Sequence, residues 1–255
     1  MGFFNSIFGN SKAEPNKQIR AQFKDEAFFD SMIKKKQRNL EIYSEDNEKL
    51  KSEGKLKPYN QWAIAMEYLD LVYINYSMNN DISTCYDNFL KGTDYYGIGW
   101  DADAFYADMI DMVSLGYLLN IPDEEFKKIV NYVSQSDEGS SFDDWQPDGL
   151  LWYIINAKNA TGKIPEDVIY KKLYGEIFAL TKLPKNEAER AMKTYLENWY
   201  ALHKDDPWYD AHKKERAYRG YWCWEAGAIT KIMGLDDSSY KDNPYYPYDM
   251  VHWKD

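Results

Sequence analysis

The sequence predicts an all-α protein: two packed helical halves forming one compact unit, with an irregular C-terminal tail. Three observations carry this. Apolar residues recur at steps of three and four along most of the chain, no period-two run of β-branched residues occurs, and proline and glycine fall where the periodic segments begin and end. The chain has 255 residues, enough for one large domain or two small ones.

The first 16 residues, with Gly2 and Ser6 at the spacing of a myristoylation pattern, have no basic segment and too short an apolar stretch for a secretion signal. They read as a tail, flexible or loosely docked. Residues 17–53 read as helix, with Phe23, Ala27, Phe28 and Met32 at helical spacing, a break near Asn39, and an end at Gly54 and Pro58. Trp62, Ala65, Met66, Leu69, Val72, Tyr73 and Tyr76 form the core stripe of the next helix. A short helix from Ser83 to Leu90 is expected to stop at Gly92, with a loop to Gly99. Residues 101–119 read as a helix with Phe105, Met109, Met112, Val113, Gly116 and Tyr117 facing inward. Pro122 starts the next, where Asp123, Glu124 and Glu125 suit the positive end of its dipole. The Ser, Asp, Glu and Gly of 134–144 read as a link, giving an N-terminal half at 17–133 and a C-terminal half at 145–255.

In the second half, residues 148–160 form a helix. Pro165 opens another to Leu180 and Pro184 a third to Leu202, and 211–233 reads as the last long helix, ended by Gly234. The tail contains Pro244 and Pro247.

Charge is divided unevenly. Of a net −11, residues 1–60 carry +3, residues 61–150 carry −14 and residues 151–255 carry none. An acidic block repels phosphate backbones and anionic membranes, so neither nucleic acid nor a membrane is expected as a direct partner, and a basic protein is. Opposed fields would speed its capture. Candidate contact residues are Asp101, Asp108 and Asp111, spaced to share one helix face, and Asp87 and Asp94, seven apart. Asp103 lies off that face, and Asp143, Asp144 and Asp148 stand near the link. A solvated helix face that keeps the protein soluble is the plain alternative.

Catalytic signatures are sparse. The chain has no HExxH pair, phosphate-binding glycine loop or nucleophile elbow. His203 and His212 with Asp205, Asp206 and Asp210 match no zinc spacing, and the pairs Asp143–Asp144, Asp205–Asp206 and Asp236–Asp237 read as caps and turns. No metal or cofactor is expected. Two isolated cysteines, Cys85 and Cys223, fit reduced thiols in a cytoplasmic protein. Glu225 stands among Tyr221, Trp222, Cys223, Trp224 and Ala226. It reads as a buried hydrogen-bond hub receiving tyrosine hydroxyls, indoles or an arginine such as Arg219, with a catalytic carboxylate as the alternative.

Three C-terminal stretches carry a resemblance: Arg219-Gly220-Tyr221-Trp222-Cys223-Trp224-Glu225-Ala226, then Met233-Gly234-Leu235-Asp236-Asp237-Ser238-Ser239-Tyr240, then Tyr245-Tyr246-Pro247-Tyr248-Asp249-Met250-Val251. In order and spacing they resemble the C-terminal domain of PoNi-type immunity proteins, with Met250 where leucine is usual. The helices around Phe28-Phe29-Asp30 and Tyr68-Leu69-Asp70 are similar in character to the N-terminal domain of that family. The resemblance spans about residues 17–253. It implies an all-helical, non-enzymatic immunity protein that binds a cognate toxin delivered between bacteria by contact-dependent secretion; the family's named members block PoNe-type DNases, and its diversity leaves room for a toxin of another activity. Trp222, Trp224, Glu225, Asp236, Asp237, Tyr246, Pro247 and Asp249 would then tie the last helix to the closing tail. A small helical enzyme centred on Glu225 and a non-catalytic scaffold are the competing functions.

Overall fold

A computed structural model describes residues 18–214 and 217–254. The expected N-terminal tail, with Gly2 and Ser6, lies outside the described residues. Among the described residues there are ten α-helices, one 3-10 turn and no strand. The first cluster holds α1 (Glu26–Ser52), α2 (Pro58–Ser77), α3 (Ile82–Ile98), α4 (Tyr106–Leu118), α5 (Asp123–Gly139) and α6 (Gly149–Lys158). The second holds α7 (Lys171–Leu180), α8 (Lys185–Leu202), α9 (Trp224–Met233) and α10 (Tyr248–Val251). Helix α9 crosses between them and lies along α4, so a single apolar core runs through both clusters.

Helix starts follow the expected chemistry. Asp25, Asp81 and Asp148 accept from free backbone N–H groups in the first turns of α1, α3 and α6. Pro122 and Pro184 stand at the N-caps of α5 and α8. Gly234 closes α9 in the left-handed conformation at φ 58°.

Several boundaries differ from expectation. Helix α1 starts at Glu26 and passes Asn39 unbroken. Helix α3 continues through Gly92 to Ile98. A Cβ at Gly92 would sit 3.2 Å from Tyr68 Cβ, so this glycine lets α3 approach α2 rather than ending α3. Helix α4 begins at Tyr106, because Asp101–Ala104 forms its own turn: Asp101 Oδ1 accepts from Asp103 N and Asp101 O from Ala104 N. Asp101 therefore does not share a helix face with Asp108 and Asp111. Phe105, expected inward, is exposed at the extended N-cap of α4. Helix α5 continues into the expected link, to Gly139, and residues after Pro165 stay irregular until Lys171.

The predicted helix at 211–233 is a 3-10 turn at Ala211–Lys213, an irregular segment and then α9. Gly220, at φ +100°, breaks the helical path, and Tyr221, Trp222, Cys223 and Trp224 after it are all buried. The chain instead runs between elements here, held by Cys223 N donating to Tyr245 O. Both cysteines are free and buried.

Candidate functional site

The segment 217–222 lies against α2 and α4, and one polar knot fixes it. Ser77 Oγ, at the end of α2, donates to Arg219 O at 2.7 Å and accepts from Trp222 Nε1 at 2.9 Å. Gly220, at φ +100°, is required: a Cβ there would meet Ser77 Oγ at 2.1 Å. The knot aims the Arg219 side chain along α2. Its guanidinium lies 4.2 Å from the centre of the Tyr73 ring and pairs with Asp70, which also binds Lys36 Nζ of α1 at 2.5 Å. Lys36 also reaches Glu67 at 3.2 Å. Against the upward push of burial, Arg219 and Lys36 hold the Asp70 carboxyl below the usual range.

Across from this seam, Asp108 and Asp111 stand one turn apart on α4. Asp108 accepts from Trp62 Nε1 at 2.9 Å, and Asp111 accepts from the Tyr73 hydroxyl. Neither has a cation in direct contact among the described residues. Burial pushes the Asp108 carboxyl up to about 6, with the Trp62 hydrogen bond only partly opposing it. Burial pushes Asp111 up to about 7, against the opposing pull of Arg219 and the Tyr73 bond.

These two carboxylates form one wall of a cleft of about 100 Å³ that also reaches Arg219, His203, Trp208 and Glu225. Glu225 Oε1 accepts from Tyr195 OH at 3.0 Å and Trp199 Nε1 at 2.9 Å, so it is a hydrogen-bond hub on the cleft wall. Arg219 serves Asp70 instead. His203 is 3% exposed. Its ring lines the cleft, its Nδ1 meets Asp206 Oδ2 at 2.7 Å, and its buried Nε2 has no hydrogen-bond partner.

A second feature adjoins the first through Asp108 and Trp62. Tyr59, Trp62, Phe105 and Phe142 form a chain of ring contacts, with centroids 5.5, 6.3 and 6.5 Å apart. Tyr59, Phe105 and Phe142 are 60%, 53% and 42% exposed, an unusual state for large aromatics. Asp103, Asp143 and Asp144 are exposed beside them, and half-buried Asp101 lines the same depression. The loop that carries Phe142 is pinned to the 101–105 turn by Ser141 N donating to Ala102 O at 2.7 Å and by Ser141 Oγ donating to Asp103. Its far end is held by Asp137, which accepts from the Trp145 and Trp152 indoles and pairs with Lys163.

The other candidate residues lie elsewhere. Asp87 and Asp94 are exposed on the continuous α3, and Asp94 pairs with Lys128. Asp148 is fully buried: it accepts from Leu150 N, Leu151 N, Ile169 N and Tyr106 OH, and so caps α6 rather than facing a partner.

In the C-terminal stretches, Trp224 meets Tyr73 and Tyr76 edge-on at 5.1 and 5.2 Å, and Trp222 meets Tyr76 at 4.8 Å. Asp237 Oδ2 accepts from Tyr246 OH and contacts His252 Nε2. Asp236 accepts from Ser238 N, Pro247 caps α10 and Asp249 pairs with Arg20 at 2.6 Å. His203 and His212 diverge, for His212 stacks on Phe23. No group of three or more His, Cys, Asp or Glu able to hold a metal occurs among the described residues.

Sequence reading missed Lys36, Asp70, the exposed rings and the cleft-facing role of His203. Their partners lie far along the chain, 149 residues apart for Arg219 and Asp70.

Two family models match in tandem. The one described as PoNe immunity protein (PoNi), N-terminal, matches residues 17–131, and the one described as PoNe immunity proteins (PoNi), C-terminal, matches residues 146–250. No curated protein matches the sequence. Among solved structures, the crystal structure of protein PA2201 from Pseudomonas aeruginosa is similar in fold, with a TM-score of 0.69 and 18% identity, over 93% of this chain and 90% of that one.

Proposed function

Because the chain belongs to the PoNe immunity protein (PoNi) family, whose members are non-catalytic immunity partners of PoNe-type toxins, we propose that it neutralises its toxin by direct binding through the acidic aromatic face around Phe105. The observation that carries this is the ring chain Tyr59–Trp62–Phe105–Phe142, with Tyr59, Phe105 and Phe142 exposed, bordered by Asp101, Asp103, Asp143 and Asp144. Exposed aromatics lose little conformational entropy when they are buried by a partner and supply most of the energy in many interfaces. The aspartates around them would steer a basic surface and set its orientation.

A DNase needs a basic active site to hold phosphates, so an acidic protein seated over it would exclude DNA by both charge and bulk. Protection would take place in the cytoplasm of the producing cell, where the DNA is. The toxin's being a DNase and the covering of its active site are parts of this proposal.

The test is coexpression with the toxin encoded next to it, followed by size exclusion and titration. The double variant Phe105→Ser, Phe142→Ser alters two exposed rings and should leave the circular-dichroism spectrum unchanged. It should weaken toxin binding by at least about tenfold, which is about 1.4 kcal/mol. Equal affinity in the double variant would move the interface to another face.

A further inference from the structure

We propose that the cleft between α4, α8 and the 217–222 segment receives one arginine side chain of the cognate toxin. This rests on the toxin-binding reading above and places a specific anchor within it.

Four carboxylates, Asp108, Asp111, Asp206 and Glu225, line the cleft beside the donors of Arg219, Trp208 and Tyr174. Asp108 and Asp111 line it, each with a single hydrogen-bond donor from the protein. A carboxylate oxygen accepts, so the contact of Asp206 Oδ2 with His203 Nδ1 favours the tautomer with the ring proton on that nitrogen. In the neutral ring Nε2 then presents a lone pair, and this is the buried nitrogen that lacks a partner. A buried polar atom without a partner costs free energy, which a ligand donor would recover. A ligand that meets carboxylates on one side and an imidazole lone pair on the other must be rich in donors and positively charged.

Size and shape narrow the class. The cleft volume of about 100 Å³ corresponds to roughly three waters of liquid, room for one side-chain head group but not an extended ligand. Trp199, Trp208 and Tyr221 bring flat rings to the walls. A guanidinium stacks on such rings and offers five donors in one plane to acceptors spread around it, whereas an ammonium is a compact point charge. Arg219 does not already fill the role. Its guanidinium belongs to the Asp70 and Lys36 network and lies on Tyr73, and it makes no direct ion pair with Asp108 or Asp111.

The cleft also adjoins the exposed face. Asp108 lines the cleft and holds Trp62, the second ring of the aromatic chain, so the two features meet at this residue. The carboxyl groups raised by burial, near 6 for Asp108 and near 7 for Asp111, are those that an incoming cation would return to the ionised state.

The test is a set of double-mutant cycles between Asp111→Asn and single Arg→Gln and Lys→Gln changes on a catalytically inactive form of the toxin, read by calorimetric titration. One toxin arginine should couple to Asp111 by at least about tenfold in affinity, and the same arginine should couple to His203→Phe. A second variant guards against misfolding. Ala107 is exposed at the start of α4 and lines the cleft, so Ala107→Arg supplies a guanidinium in cis. It should leave the melting curve intact and weaken toxin binding at least about tenfold. Additive cycles for every toxin arginine, coupling to a lysine instead, or unchanged affinity for Ala107→Arg would each overturn the cleft assignment while leaving the toxin-binding reading in place. No complex at all with the wild-type chain would overturn both.

Discussion

Asp70 and Asp111 face the same guanidinium from different helices, yet their proton affinities move in opposite directions. On the α1–α2 seam, Asp70 has Arg219 and Lys36 in contact and its carboxyl is held below the normal range despite burial. On the α4 wall, Asp111 has the Tyr73 hydroxyl and only the longer-range pull of Arg219, and burial raises it to about 7. The seam is a finished ion network. The wall is short of positive charge, which stability alone would not favour, because a buried carboxylate lacking a cation is costly. Asp148 shows that the fold can complete a buried carboxylate when the role is structural: four donors converge on it. On the proposed reading, the difference separates charge that holds the fold together from charge available to a partner.

The largest effect should come from destroying the platform both regions share. Trp224 is fully buried and packs edge-on against Tyr73, the ring that supports Arg219 and bonds Asp111. Trp224→Ala should cost roughly 3–5 kcal/mol in urea denaturation, a large part of a typical total of about 5–15. Arg219→Ala breaks the finished side alone and leaves Asp70 with Lys36 only. It should destabilise by about 2–3 kcal/mol, below the full buried-pair value because the Arg219 side chain is 33% exposed.

The α4 wall should respond with the opposite sign. A carboxyl whose folded pKa is raised contributes stability at low pH that is lost as pH rises through the folded value, here about 7. Asp111→Asn removes that loss. It should stabilise the protein by about 1–2 kcal/mol at pH 8, and the gain should vanish toward pH 4, where the native carboxyl is protonated. Destabilisation at pH 8 would show that Asp111 belongs to the fold in the same sense as Asp70.

Toxin affinity should carry the same signature. Pairing with a cation requires Asp111 ionised, so affinity should fall below pH 7 by up to about tenfold per unit. Arg219, Tyr73, Glu225 and Asp108 set that midpoint, and Tyr96, Tyr174 and Cys223 are the other titratable groups coupled to Asp111. A pH profile flat between 6 and 8 would remove Asp111 from the interface. The smallest effect is expected on α3. Asp87→Asn with Asp94→Asn changes exposed charges remote from the cleft and should alter affinity by less than about twofold, chiefly through the association rate and its salt dependence.

Much of this organisation was readable from residue spacing. The helical stripes, the proline starts at Pro122 and Pro184 and the glycine stop at Gly234 follow from local rules, and they reappear as α2, α5, α8 and α9. Gly92 misled because a glycine can end a helix or admit a neighbour, and only the position of Tyr68 distinguishes the two. The 211–233 stretch misled because Gly220 takes a positive φ to fit against Ser77, a demand set far along the chain that outweighs the local helix formers. The spacing of Asp108 and Asp111 correctly puts them on one face. Whether that face looks to solvent or into a cleft depends on a segment more than a hundred residues later, and no local pattern encodes it. The charge division marked the acidic third of the chain but not which of its carboxylates are completed by the fold. Asp148 and Asp111 look alike in sequence, and their donors separate them.

The most direct test is to measure, on one preparation of Asp111→Asn at pH 8, both urea stability and the toxin dissociation constant. An open acceptor wall kept for a partner predicts that stability rises by about 1–2 kcal/mol while affinity falls at least about tenfold. A variant that loses stability and keeps its affinity would contradict the account.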